Sequence, residues 1–147
     1  LFDTSNAKDM KKDTFYQWCK EHYLKITLAQ PLVYFAFGGF PAVVWGFALR
    51  TVFCWHITWA VNSLSHIWGR QMFKTDDISM NNGLIGILAM GEGWHNNHHA
   101  FQSSARHGLR WWEFDLSYMI IWAMSKVGLA YDVRVPSRDR VQAKLKS

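Results

Sequence analysis

Charge disappears from a long stretch of the first half of this chain. Between Ile26 and Leu49 there is no Asp, Glu, Lys or Arg, Arg50 interrupts, and residues 51–69 are again uncharged. Runs of this length suit the roughly 20 residues a helix needs to cross a hydrocarbon core of about 30 Å. Within the first run, Gly38-Gly39-Phe40-Pro41 is a signal for reversal. The pattern therefore predicts a helical hairpin, with one helix ending near Phe37 and a longer one running from about Pro41 to His66. Counted from Ile26 the first arm is short for a crossing, so its helix is expected to begin among residues 18–24, or the hairpin to be partly re-entrant. Upstream, residues 1–25 are polar and rich in Lys8, Lys11, Lys12, Lys20 and Lys25, with Phe15, Tyr16, Trp18 and Tyr23 among them, which reads as a juxtamembrane segment. These lysines, with Arg70 and Lys74 after the second run, set both open ends of the hairpin on the cytoplasmic side or its plastid equivalent. Arg50, inside the second arm, must snorkel or face a polar interior.

After the apolar runs the texture changes. Residues 70–82 are polar and turn-like, with Asp76, Asp77, Ser79, Asn81 and Asn82, and residues 83–90 form an apolar lead into a cluster of histidines. Residues 117–127 have the pattern of an amphipathic helix resting on the site or on the membrane surface, and residues 129–147 form a charged tail around Pro136. The fold expected is all-α: one domain made of a juxtamembrane segment (1–25), a transmembrane hairpin (26–69), and a cytosolic or stromal helical cap and tail (70–147) that carries the histidines.

Composition supports the membrane reading. Half of the 147 residues are hydrophobic and 16% are aromatic, above the ordinary globular range, and nine are Trp, a residue that concentrates at membrane interfaces. The net charge of +5 does not indicate nucleic acid, because the basic residues flank apolar segments instead of forming one stripe; anionic lipid is the better partner. Cys19 and Cys54 have no metal or redox spacing and make no disulfide framework. The chain begins with Leu1 and is read as part of a longer precursor, so the lack of a targeting segment carries no weight.

The chemistry concentrates in Trp94-His95-Asn96-Asn97-His98-His99. Side chains three and four apart share a helix face, so this H-x-x-H-H spacing directs His95, His98 and His99 toward a common centre. Imidazole is a good ligand for zinc, copper, iron and nickel, and Asn96 and Asn97 suit a supporting shell of hydrogen bonds. The plainer readings are a solvated turn or a proton-sensing patch. Zinc-protease patterns carry a Glu within the histidine motif, and none lies between His95 and His99, which argues against that class. Glu92, three residues before His95, is a candidate to orient an imidazole by accepting its other N–H; otherwise it is a solvated acid at a helix start. In the second apolar run, Asn62 and His66 lie four apart on one helix face, whereas His56 is rotated away from it. His66 is thus the fourth candidate ligand, and His56 an interface anchor or a bundle hydrogen bonder. His107 reads as a surface-loop histidine, Trp111 and Trp112 as interfacial, and His22 carries no inference.

At these residues the chain resembles the membrane-bound fatty acyl desaturases. Gly91-Glu92-Gly93-Trp94-His95-Asn96-Asn97-His98-His99-Ala100 is similar to their third histidine box, and Asn62-Ser63-Leu64-Ser65-His66-Ile67-Trp68-Gly69 to the N-S-x-x-H-x-x-G element that precedes it. The likeness continues through Ser104-Ala105-Arg106-His107-Gly108-Leu109 and Trp111-Trp112-Glu113-Phe114-Asp115, in the style of the Δ9-type branch of plants, algae and cyanobacteria. The resemblance implies a di-iron centre held almost wholly by histidines, which uses O2 and two electrons to take two hydrogens from a methylene pair and leave a cis double bond. It implies that His66, His95, His98 and His99 are iron ligands, that Asn62 meets the metal through water, and that Thr58 and Trp59 lie beside the bend of an acyl tunnel. It also implies an acyl-CoA or acyl-lipid substrate, ferredoxin or cytochrome b5 as electron donor, and a home in the endoplasmic reticulum or plastid membrane.

Two earlier boxes of the family, H-x-x-x-x-H and H-x-x-H-H, do not occur upstream of His66. These 147 residues are therefore expected to supply only part of the ligand set and to be inactive alone. The alternatives are a histidine-box membrane hydroxylase, or a non-catalytic membrane protein whose histidines bind structural zinc or sense pH.

Overall fold

A computed structural model describes residues 8–145. The first seven residues of the expected juxtamembrane segment, and the last two of the tail, lie outside the described residues. The structure is mostly helical. Among the described residues no strand forms, and only isolated bridges join Arg70 to Asn81, Phe73 to Leu145 and Asn81 to Trp94. The chain divides into two compact units at Phe53 and Cys54.

In the first unit, a short helix α1 (Lys8–Lys12) precedes the long helix α2 (Thr14–Ala42). Helix α2 begins earlier than the expected 18–24 because Asp13 caps it: the carboxylate accepts from the Phe15 amide at 2.8 Å and the Tyr16 amide at 3.2 Å. Its regular dihedrals break at Gly38 (φ −152°, ψ 16°) and Gly39 (φ 61°, ψ −159°). A φ of +61° lies in the left-handed region that only glycine enters readily, so Gly39 permits the kink. A π-helical segment, Val43–Leu49, follows. Arg50 donates from Nη2 to Gln30 Oε1 at 3.2 Å, and Gly46 lies against the Tyr34 ring, where an added Cβ would come within 2.5 Å of Cε1. Residues 30 and 34 thus meet 50 and 46, and Arg50 has the polar partner that its place in an apolar run requires. No residue of α2 or the π segment is buried, and Phe37 is 90% exposed. The helical run Thr14–Leu64 contains an 18-residue window of mean hydropathy 1.8, long and apolar enough to cross a membrane.

Helix α3 (Arg50–Leu64) continues into the second unit but stops before the expected His66. The chain tightens there into i→i+3 bonds, His66 amide to Ser63 carbonyl at 3.0 Å and Ile67 amide to Leu64 carbonyl at 3.1 Å. Fully buried Ser65 ties the turn to the next loop by accepting the Met80 amide at 2.7 Å on its carbonyl. Four further helices follow: α4 (Gly83–Leu88), α5 (His95–Ala100), α6 (Leu116–Lys126) and α7 (Arg138–Lys144). Caps start three of them, with Asn82 accepting from the Ile85 amide, Asp115 from Tyr118 and Ser137 from Arg140. Two small apolar clusters hold this unit. Val61 packs with Ile85 and Ala89, and Met72 and Phe73 pack with Ala100 and Phe101. Residues 129–145 are therefore more than a charged tail. Val141 on α7 and Leu145 just past its end pack on the second cluster, and Lys144 Nζ donates to the Ala100 carbonyl at the end of α5 at 2.6 Å.

Candidate metal centre

Helix α5 is only six residues long and carries the whole H-x-x-H-H motif. A helix this short is marginal by itself, so its place is fixed by tertiary bonds. Asn96 is fully buried; its Oδ1 accepts the amides of Met72 (2.8 Å) and Phe73 (2.7 Å), and its Nδ2 donates to the Phe73 carbonyl at 3.1 Å. Asn97, also buried, accepts Asn81 Nδ2 at 2.6 Å on its Oδ1. Its Nδ2 donates to the His107 carbonyl (2.8 Å) and to Glu113 Oε2 (2.9 Å). Glu113 and Asp115 are buried carboxylates satisfied by amides: Arg110 on the first, and His107, Gly108 and Tyr118 on the second. The two asparagines of the motif therefore bolt α5 to the loops on either side, and the histidines project from a fixed base.

Three of the four candidate ligands come together. His95 Nε2 lies 3.0 Å from His66 Nε2 and 3.1 Å from His99 Nε2, and the ligand atoms of all three lie within 4.8 Å of one another. Imidazole–metal bonds of about 2.0–2.1 Å place two ligands at right angles about 3 Å apart, so these spacings suit one cation bound by three nitrogens. The donor set fits as well, since neutral imidazole is a good iron ligand. Burial, then the neighbouring His99, His66 and His98, push the His95 pKa down to about 4, so its ring stays neutral and able to ligate at neutral pH.

His98 turns elsewhere. Its ring lies 6.0 Å from that of His95 and 4.6 Å from that of His107, and its buried Nδ1 has no hydrogen-bond partner. Burial, then His107 and His99, hold its pKa below the usual imidazole value. On a helix the residues at i+3 and i+4 fall on opposite sides of i, which is why His98 and His99 diverge around His95.

Other expected residues take different places. His66 sits in the turn after α3, not on the helix, so it no longer shares a helix face with Asn62. Exposed Asn62 donates from Nδ2 to the Thr58 carbonyl of its own helix at 2.8 Å. Thr58 donates to the Cys54 carbonyl at 2.8 Å, and Trp59, exposed, lies near Trp55 and edge-on to His56. Glu92 does meet an imidazole, but that of His107, at 3.5 Å from Nδ1. His107 is mostly buried against His98, not a surface-loop histidine, because the buried Asp115 carboxylate takes its amide and holds the loop inward. The carboxylate at the cluster is Asp77, whose Oδ2 lies 2.5 Å from His99 Nδ1. Burial opposes its ionisation, but hydrogen bonds from Ser79 and Thr75 and the nearby His99 outweigh this and hold its pKa well below the usual carboxylate range. No spacing rule links Asp77 to a histidine 22 positions on; only its place in a run of turn residues was legible.

Comparison with known proteins agrees with this arrangement. The fatty acid desaturase family model matches residues 3–134. The chain is 46% identical over 140 residues to the palmitoyl-monogalactosyldiacylglycerol delta-7 desaturase, chloroplastic, of Arabidopsis thaliana, covering 95% of this chain and 38% of that protein. It is 49% identical over 130 residues to the sn-1 stearoyl-lipid 9-desaturase of Synechocystis, covering 88% and 41%. It is 46% identical over 132 residues to the acyl-CoA C20 Delta5-desaturase of Anemone leveillei, covering 90% and 42%. The chain spans about two fifths of the length of these relatives. With a family match over nearly the whole chain and a histidine cluster on the motif residues, the chain belongs to the fatty acid desaturase family.

Proposed function

We propose that the full-length protein is a membrane acyl desaturase that takes two hydrogens from adjacent methylenes of a lipid- or CoA-linked fatty acyl chain, leaving a cis double bond. The observation that carries this reading is the convergence of His66, His95 and His99 on one point from two separate stretches of chain. These three would hold one iron. His98, turned away with a buried and unpartnered Nδ1, would serve the second, together with ligands from outside this chain. When bound, iron supplies the oxidising power that side chains lack for breaking an alkyl C–H bond, with O2 and two electrons from ferredoxin or cytochrome b5.

The chain's own residues set position. Asn96 and Asn97 hold the imidazoles in a fixed frame, and Asn62 would reach the metal through water from the last turns of α3. Thr58 and Trp59, on the same helix, would border the acyl chain, whose length and bend select the methylene pair presented. The Thr14–Leu64 stretch would form the membrane hairpin, with Gln30 and Arg50 paired inside it. Trp111 and Trp112, with Arg110 over the Trp112 ring at 5.0 Å, would sit at headgroup level. The relatives' names include both lipid-linked and CoA-linked acyl substrates, and one names the chloroplast, which supports a plastid membrane as its home, with the endoplasmic reticulum as the alternative.

Expression at full length in a host without desaturase activity, followed by mass spectrometry of its fatty acids, tests this. An unsaturated product is expected, lost by at least about 100-fold in His66→Ala and His95→Ala, and kept near wild type in His56→Ala. A hydroxylated product would reassign the reaction. Tightly bound zinc without oxidised product after iron-replete expression would overturn the enzyme reading.

A further inference from the structure

We infer that Asp77 is a positioning residue for the metal centre: it fixes the tautomer and direction of His99 and is itself held by the histidine helix it serves. The inference rests on the reading of His66, His95 and His99 as metal ligands. An ionised carboxylate only accepts, so Oδ2 at 2.5 Å from Nδ1 assigns the His99 proton to Nδ1 and leaves the Nε2 lone pair facing His95. Asp77 divides its oxygens between two tasks. Oδ1 accepts the Ser79 amide at 2.8 Å and the Thr75 hydroxyl at 3.1 Å, and Oδ2 is left for His99.

The loop around Asp77 is tied back to α5. Asn96 Nδ2 lies 3.4 Å from both Thr75 Oγ1 and Ser79 Oγ, while Asn96 Oδ1 takes the Met72 and Phe73 amides just upstream. A closed circuit results: Asn96 holds loop 75–79, the loop holds Asp77, and Asp77 holds His99, three residues beyond Asn96. Such a circuit transmits the rigidity of a fully buried carboxamide to a partly exposed imidazole. His99 is also the one candidate ligand with a carboxylate in ion-pair range among the described residues; Glu92 pairs with His107 instead. The adjacent Asp76 is exposed. That gives an internal control one position away.

The experiment uses the full-length protein purified in detergent after iron-replete expression, and reads iron retained during dialysis against a chelator alongside thermal unfolding of the metal-stripped form. Asp77→Leu is expected to weaken iron retention by about 10–100-fold, Asp77→Asn, which keeps shape and one acceptor, by less, and Asp76→Asn not at all. Thr75→Val, which removes one of the bonds on Asp77 Oδ1 but leaves the Oδ2 contact to His99, is expected to weaken iron retention by less than Asp77→Leu does. Cobalt-substituted Asp77→Asn should show a shifted visible spectrum, a change that loop loosening alone does not produce, and it decides the matter if Asp77→Leu fails to fold. Wild-type retention in both Asp77 variants, or equal loss in Asp76→Asn, would overturn the positioning role while leaving the metal centre intact. A wild-type protein that binds neither iron nor cobalt would overturn the metal reading beneath it.

Discussion

The two units of this chain solve opposite problems. From residue 10 to 53 no described residue is buried, and several polar side chains bond locally, Thr27 on the Tyr23 carbonyl at 2.9 Å and Arg50 on Gln30. From residue 54 onward the situation reverses. Of the five largest side chains buried almost completely, Phe73 is apolar, and the other four are Asn96, Asn97, Ser65 and Ser79. An apolar helix with nothing buried depends on what surrounds it, and it tolerates changes that keep it apolar. A site framed by buried amides depends on each hydrogen bond, because a lost partner leaves a desolvated group unpaired. The proposed function would need both: an oily place for the substrate and a rigid place for the metal.

The largest break in this comparison should come from Asn96→Leu. It orphans the Met72 and Phe73 amides and the Phe73 carbonyl, and at about 1–3 kcal/mol for each buried unsatisfied group the cost should reach about 3–6 kcal/mol. Leu32→Ala, in the first unit and 72% exposed, removes apolar bulk but orphans no polar group and should cost under about 1 kcal/mol in detergent. Thermal unfolding of the two full-length variants gives the ranking. If Leu32→Ala proved the more damaging, the stability of this protein would not reside in its polar frame.

What the sequence disclosed follows the same divide. The apolar runs, the break at Gly38 and Gly39, and the histidine motif are periodic or local signals, and reading them required only neighbours a few positions apart. The partners of the site are not local. Asn96 acts on residues 23 and 24 positions upstream, Asp77 on one 22 positions downstream, and Asn97 on Asn81 and Glu113, each 16 away. Hydrogen bonds across such separations leave no period in a chain. For the same reason Glu92, close to His95 in sequence, lies beside His107 while Asp77 meets His99, and the Asp115 contact that draws the His107 loop inward has no local signal. Helix α7 carries a local signal of its own, Ser137 capping its start right after Pro136.

Acid should weaken the second unit by a smaller margin. With its pKa pushed down to about 4 from an ordinary 6.5, His95 binds a proton less readily in the folded protein than in the unfolded chain. Its contribution to stability is therefore complete above about pH 6.5 and is lost progressively as pH falls toward 4. The unfolding temperature of the metal-stripped protein is expected to decline through that window, and His95→Gln should flatten the decline. Iron should protect against it, because a bound metal holds the imidazole unprotonated. An unchanged slope in His95→Gln would assign the acid sensitivity to other groups.

The smallest effect sharpens the other half of the comparison. In the first unit Gly46 lies against the Tyr34 ring of the other run, where a new Cβ would lie 2.5 Å from Cε1 and 2.7 Å from Cδ1. Gly46→Ala must displace the ring, and overpacking of this kind costs about 1–3 kcal/mol. The penalty belongs to the pair and not to the helix. Alanine is the better helix former, so in a Tyr34→Ala background, with the ring gone, Gly46→Ala should become neutral or slightly stabilising. A double-mutant cycle of unfolding in micelles should then return a coupling of at least about 1 kcal/mol. Zero coupling would mean that residues 34 and 46 do not meet, and would leave Arg50 and Gln30 to join the two runs.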